Sequence, residues 1–161
     1  MQEISPEDLA KHAERLLRDQ STMTLATVCG DDPWAAPVYY VHRRKSQYFF
    51  SAPQSRHVVE ALATGRAAAA VFADSNSWQE IRGLQMAGSV SLVQPGGEAL
   101  RALVAYVRKF PLVKEFFSTG NNIEMESFER KFNVRLYRFT PHVIYYLDNS
   151  IKFGFRQEVR L

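Results

Sequence analysis

The sequence predicts a mainly β domain, an antiparallel Greek-key barrel with helices packed on its outside. Three observations carry this expectation. Short β-branched and aromatic runs follow one another across turns too short for crossover helices, which makes the sheet antiparallel. Gly83 and Gly88 interrupt a long strand-like segment and supply the bends a curling sheet needs. The helical patterns fall before, between and after groups of strands, so they pack against the sheet from outside.

The elements follow in chain order. Ser5 is a suitable N-cap, Pro6 suits the first helical position, and Glu7 and Asp8 favour the positive end of the helix dipole. With Leu9, Ala13, Leu16 and Leu17 on one stripe, these residues predict a helix over 6–19. Residues 22–28 read as a strand, 30–33 as a turn, 34–42 as a second strand, 43–46 as a turn and 47–51 as a third strand. A short helix over 55–64 stops at Gly65. Residues 67–73 carry no polar side chain and predict a strand buried on both faces. A long strand over 80–93 follows, with bulges or bends expected at Gly83 and Gly88. Helical pieces are expected at 98–109, 112–117 and 123–132, the first with Leu100, Leu103, Val104 and Val107 on one face. Strand returns over 134–147, broken near Pro141, and the tail 150–161 reads as extended.

The 161 residues fit one domain, 1–161, with an N-terminal helix over about 1–20 and a helical insertion over about 97–132. Apolar residues make up 46% and charged residues 23%, ordinary values for a globular protein. A net charge of +3 favours anionic ligands mildly, and the basic residues are too scattered to predict a nucleic-acid partner. The run Arg43-Arg44-Lys45 reads as a solvated turn. Cys29 is the single cysteine, which excludes an intrachain disulfide and a cysteine metal cluster. The four histidines, His12, His42, His57 and His142, lack metal-ligand spacing. No dinucleotide fingerprint, phosphate loop, zinc-protease or nucleophile-elbow motif occurs. The N-terminus shows no apolar leader and no run is long enough to span a bilayer, so the expectation is a cytoplasmic protein without a membrane partner.

Two stretches could carry chemistry. Residues 50–57, Phe-Ser-Ala-Pro-Gln-Ser-Arg-His, form a strand end running into a helix start. Helix N-termini offer unpaired N–H groups, Ser51 and Ser55 offer hydroxyls, and Arg56 and His57 offer further donors, which together suit a phosphate monoester. The same residues equally suit a plain helix start in which Ser55 caps and Arg56 points to water. In the second stretch, residues 81–88, a buried Arg82 or Gln85 would need a partner, which is either a ligand or an interface salt bridge.

Taken together, four segments resemble the pyridoxamine-5'-phosphate-oxidase-like family of FMN-binding split β-barrels. They are Met-Thr-Leu-Ala-Thr-Val at 23–28 with Trp-Ala-Ala-Pro-Val-Tyr-Tyr at 34–40; Tyr-Phe-Phe-Ser at 48–51 with Ser55-Arg56-His57; Ala-Ala-Ala-Val-Phe at 68–72; and Ile-Arg-Gly-Leu-Gln at 81–85 with Gly88. Residues 105–111 and 137–155 resemble a poorly characterised bacterial subgroup. The resemblance implies a Greek-key split barrel and a homodimer with FMN at the subunit interface. It implies that Ser51, Ser55, Arg56 and His57 hold the phosphate and that the backbone of Ala36, Pro37, Val38 and Tyr39 runs along the flavin ring. It further implies that Gln85 reaches the flavin, that Arg82 supports the site and that Phe153, Gly154 and Phe155 close over it.

Three departures narrow this. Many members carry Lys where this chain has His57. The oxidases' Arg-x-x-x-x-Lys strand motif is missing, because no Lys or Arg lies between Trp34 and His42. No Trp follows Trp78, whereas the true oxidases grip pyridoxamine phosphate with C-terminal Trp and Arg. The implied function is therefore an FMN-dependent oxidoreductase acting on a small substrate or electron donor, and not a pyridoxamine-5'-phosphate oxidase. The alternative is a non-catalytic protein that binds or stores flavin or haem on the same barrel. A deazaflavin relative of FMN fits the same reading.

Overall fold

The computed structural model describes residues 4–111, 118–119, 122–123 and 125–161. Helix α1 (Pro6–Asp19) leads into strands β1 (Thr22–Cys29), β2 (Asp32–Tyr39), β3 (Val41–Arg43) and β4 (Ser46–Ser51). Helix α2 (Arg56–Thr64), strand β5 (Ala67–Phe72), a 3-10 turn (Trp78–Glu80) and strand β6 (Arg82–Leu92) follow. Helix α3 (Gly97–Lys109), the short ribbon β7 (Ser118–Thr119) and β8 (Asn122–Ile123), and helix α4 (Met125–Phe132) precede β9 (Arg135–Asp148) and β10 (Arg156–Glu158). Every strand pairing is antiparallel.

The main sheet runs β2-β1-β5-β6-β9-β4-β3, with β10 beside the C-terminal half of β9. Strands β2 and β3 stand at opposite ends of that path, yet Tyr40 alone separates them in sequence. The sheet must therefore curl until its two ends meet, which is the expected mainly β, barrel-like architecture. Tyr40 makes this corner. It is fully buried, its N–H donates to the Ser21 carbonyl, and its hydroxyl donates to the Leu17 carbonyl of α1 at 2.8 Å. The strand expected over 34–42 is thus two strands hinged at Tyr40.

The core lies inside the curl. Leu9, Ala13, Leu16 and Leu17 of α1 close over Met23, Leu25, Phe49, Leu84, Met86, Phe139 and Tyr146. Helix α3 packs outside, where Ala99, Ala102 and Tyr106 meet Val41, Tyr48 and Leu136. The tightest strand contact explains Gly88. A Cβ there would lie 2.3 Å from the Thr140 carbonyl oxygen, so only glycine lets β6 and β9 approach. The register shifts at this point, between Ala87 and Gly88, and Pro141 sits opposite within a continuous β9 rather than breaking it.

Several expectations need correction. No register shift occurs at Gly83. Strand β5 is not buried on both faces: Ala67, Ala69 and Val71 point into the core, while Ala68 and Phe72 are exposed. The alternation follows from the pleat, and no helix among the described residues covers the second face. On α3, Leu103 and Val107 are buried, but Leu100 is 56% and Val104 37% exposed, because the helix turns its alanines and Tyr106 to the sheet. The insertion is not wholly helical, since β7 and β8 pair within it and α4 starts at Met125 rather than at 123. The helix expected over 112–117 lies outside the described residues. In the tail, strand is confined to Arg156–Glu158.

Candidate functional site

Strand β4 ends at Ser51 and α2 begins at Arg56, so one short turn brings four sequence-predicted residues together. Ser51 Oγ lies 3.0 Å from Ser55 Oγ and 2.8 Å from His57 Nε2, and Ser55 Oγ lies 3.4 Å from the same nitrogen. Ser55 is the N-cap residue of α2 by position, yet its hydroxyl donates to the Ala52 carbonyl at 2.7 Å and caps nothing. The first N–H groups of α2 therefore carry no side-chain cap, and two hydroxyls and an imidazole converge beside them. Burial pushes the His57 pKa below its ordinary value, so the ring is neutral at physiological pH and Nε2 can either donate or accept.

Arg56 does not point to water. Its Nε donates to Glu60 Oε1 at 2.6 Å, and its Nη2 donates to Asp32 Oδ2 at 2.8 Å and to the Asp32 carbonyl at 3.2 Å. The guanidinium also lies 4.7 Å from the centre of the Trp34 ring. Glu60 is buried and accepts from Thr27 Oγ1 at 2.6 Å. The Thr27 hydroxyl and the Arg56 guanidinium hold the Glu60 carboxyl below the usual carboxylate range. This Thr27–Glu60–Arg56–Asp32 network was missed in the sequence. The i, i+4 spacing of Arg56 and Glu60 was its one legible signal. Asp32 and Thr27 lie on other elements and gave none. Nη1 of Arg56 has no partner among the described residues and remains open to a ligand.

The other predicted residues sit elsewhere on the barrel. Ala36 and Val38 face the core, and Pro37 and Tyr39 face outward. Because β2 ends the sheet path, one row of its backbone N–H and C=O groups has no strand partner among the described residues. Gln85 also faces outward, flanked in register by Ala70 and Tyr145. Arg82, three residues earlier in an unbroken register, belongs to the opposite face of β6. It lines a hollow of about 320 Å³ under α1 with Asp19, Tyr146 and Asp148, so Arg82 and Gln85 do not share a site. Phe153 packs edge-on against Trp78 at 5.3 Å, and Phe155 packs on the core.

The outward face of β1, β5 and β6 is built from small and apolar side chains. Ala26, Ala68, Ala87 and Gly88 floor a hollow of about 630 Å³ rimmed by Arg66 and His142. Exposed Val28 and Phe72 flank the same strands. Among the described residues, no group of His, Cys, Asp and Glu could hold a metal ion, and no helix is long and apolar enough to cross a membrane.

Comparison with known proteins gives the fold and the family. The chain is 30% identical over 102 residues to a UPF0306 protein of Yersinia pseudotuberculosis, covering 62% of this chain and 69% of that relative. It superposes on a heme binding protein from Mycobacterium smegmatis with a TM-score of 0.72 at 17% identity, covering 99% of this chain and 59% of that one. It also matches an FAD-binding protein from Mesorhizobium loti, with a TM-score of 0.63 at 15% identity, covering 84% of this chain and 91% of the other. These structural likenesses show a shared fold. The sequence pattern described as pyridoxamine 5'-phosphate oxidase matches residues 9–148, most of the chain. This chain belongs to the pyridoxamine 5'-phosphate oxidase family.

Proposed function

We propose that this protein is an FMN-binding flavoprotein that acts as an oxidoreductase on a small substrate or electron donor. The observation that carries the reading is the convergence of Ser51, Ser55 and His57 within 2.8–3.4 Å at the uncapped start of α2. That donor set fits a phosphate monoester: two hydroxyls, one imidazole nitrogen and helix N–H groups at the positive end of a dipole. Arg56 lies nearby, oriented by Glu60 and Asp32, with Nη1 open. When bound, FMN supplies hydride or electron transfer, so the protein need only orient the ring and exclude water. The edge of β2 at Ala36–Tyr39, without a strand partner among the described residues, offers backbone donors and acceptors for the ring's polar rim.

A second copy of the chain completes this reading. The outward face of Ala26, Val28, Ala68, Ala70, Phe72 and Ala87 is apolar and uncovered, and small side chains let another subunit and a flat ring approach closely. The expected species is a homodimer with FMN at the interface. The test is an absorbance titration with FMN, together with light scattering to count subunits. Ser51→Ala is expected to weaken FMN, and Ala70→Arg is expected to yield monomers that no longer take up the flavin. A parent protein that binds no FMN sinks the proposal, and flavin that stays oxidised with a reduced nicotinamide donor argues for binding without turnover.

One observation favours haem as the second reading. Exposed His142 and Arg66 rim the small-residue hollow, an imidazole for iron and a cation for a carboxylate. A Soret band lost in His142→Ala would support it.

A further inference from the structure

A second groove lies between the end of α1, strand β3 and the outer stripe of α3, with a volume of about 590 Å³. Its walls carry Arg18, Arg43, Arg101, Arg108 and Lys109, and no carboxylate among the described residues lines it. Its floor is aliphatic: Val41, Leu100, Val104 and Ala105. The volume is that of a small-molecule site. Both features of the sequence left without a role meet here. Arg43 belongs to the basic run that reads as a solvated turn, and Leu100 and Val104 are the apolar residues that α3 does not bury.

The positive charge in this groove is poorly compensated. Arg18 pairs with Glu14 at 2.8 Å. Arg43, Arg101 and Arg108 have no ion pair among the described residues, although Arg101 lies near Glu98, which is itself bound by Tyr48 and Arg138. Lys109 donates to the Gln20 carbonyl and sits 4.4 Å from the centre of the Tyr40 ring. Burial lowers its pKa to about 8, offset only in part by Asp19. His42, in the same wall, feels the resulting field. Its pKa is pushed down to about 4 by burial and then by the charges of Arg18 and Lys109.

We propose that this groove binds a nucleoside polyphosphate. The phosphates would lie against Arg43, Arg101 and Arg108, whose guanidinium forks match phosphate oxygens. The base would rest on the Leu100–Val104 floor, where an arginine plane can stack on it. A bare polyphosphate would leave that apolar floor in water, so the base is part of the recognition. The site is separate from the cradle at the start of α2 and does not depend on the flavin reading.

Isothermal titration of the full chain with ATP and with inorganic tripolyphosphate, at physiological salt, tests this. ATP is expected to bind once per chain. Arg43→Ala and Arg101→Ala should each weaken ATP about tenfold, the loss of one charge-assisted contact. Leu100→Ser should weaken ATP and leave tripolyphosphate unchanged. Leu100 and Arg101 are exposed and Arg43 is half-buried, and a melting curve for each variant confirms the fold. FMN uptake should be unaffected by all three. No ATP binding by the parent, or undiminished binding by both arginine variants, overturns the proposal. Equal affinities for ATP and tripolyphosphate overturn the nucleoside part of it. Loss of FMN uptake in the arginine variants overturns the separation of the two sites.

Discussion

Arginine serves two opposite ends on this barrel. At the start of α2, Arg56 is held by Glu60 on its own helix and by Asp32 from β2. In the groove beside α3, Arg43, Arg101 and Arg108 have no such restraint among the described residues. A paired arginine is oriented but largely neutralised, so it adds geometry to a phosphate site and little net attraction. Unpaired arginines around an apolar floor are loosely oriented, but their field acts on whatever enters. The difference separates a site that positions its ligand from one that gathers it.

This contrast can be broken or sharpened by experiment. The largest effect is expected from the double variant Arg43→Ala/Arg101→Ala, which should lower ATP affinity roughly 100-fold, two contacts of about tenfold each, and leave FMN affinity unchanged. Titration of both ligands checks it, and equal losses for both would erase the contrast. Next, Arg56→Ala should weaken FMN about tenfold, the lower end for a charge-assisted contact, because Glu60 and Asp32 already compete for the guanidinium. ATP binding should not change.

A stability effect follows from His42. The folded state keeps this ring neutral down to about pH 4, whereas an unfolded chain protonates it near 6.5. Between those values the unfolded state binds more protons, so stability is full above pH 6.5 and falls as the pH drops toward 4. The loss should be on the order of 1–2 kcal/mol after allowance for partial exposure. Urea unfolding across this range measures it, and His42→Leu should flatten the slope. Saturating ATP should reduce the slope as well, by neutralising the Arg18 and Lys109 charges that face the ring. The smallest effect concerns Glu60. Thr27 and Arg56 depress its pKa, so its contribution is present above the ordinary carboxylate value and is lost as the pH falls through the lower folded one. Glu60→Gln should remove this final acid limb without altering ATP binding.

Much of this was legible in advance, and the reason is local. The boundaries of α1, the stop at Gly65 and the run from β4 into α2 depend on caps, on one left-handed glycine with φ of 66°, and on side-chain periodicity. The cluster of Ser51, Ser55 and His57 was readable because seven consecutive residues contain it.

What lay beyond the sequence involved choices among distant partners. Arg82 and Gln85 look like one motif in the chain, yet the pleat of β6 sends them to opposite faces. Arg43 looks like a solvated turn until α3 docks beside β3. Leu100 and Val104 look like core until the alanines and Tyr106 of α3 take the sheet. The sequence by itself determined most of the elements, their order and the family, because caps, turns and periodicity act over a few residues. The tertiary structure decided which arginines gain a distant carboxylate, as Arg56 gains Asp32 and Arg138 gains Glu98, because that depends on where side chains tens of residues away come to rest.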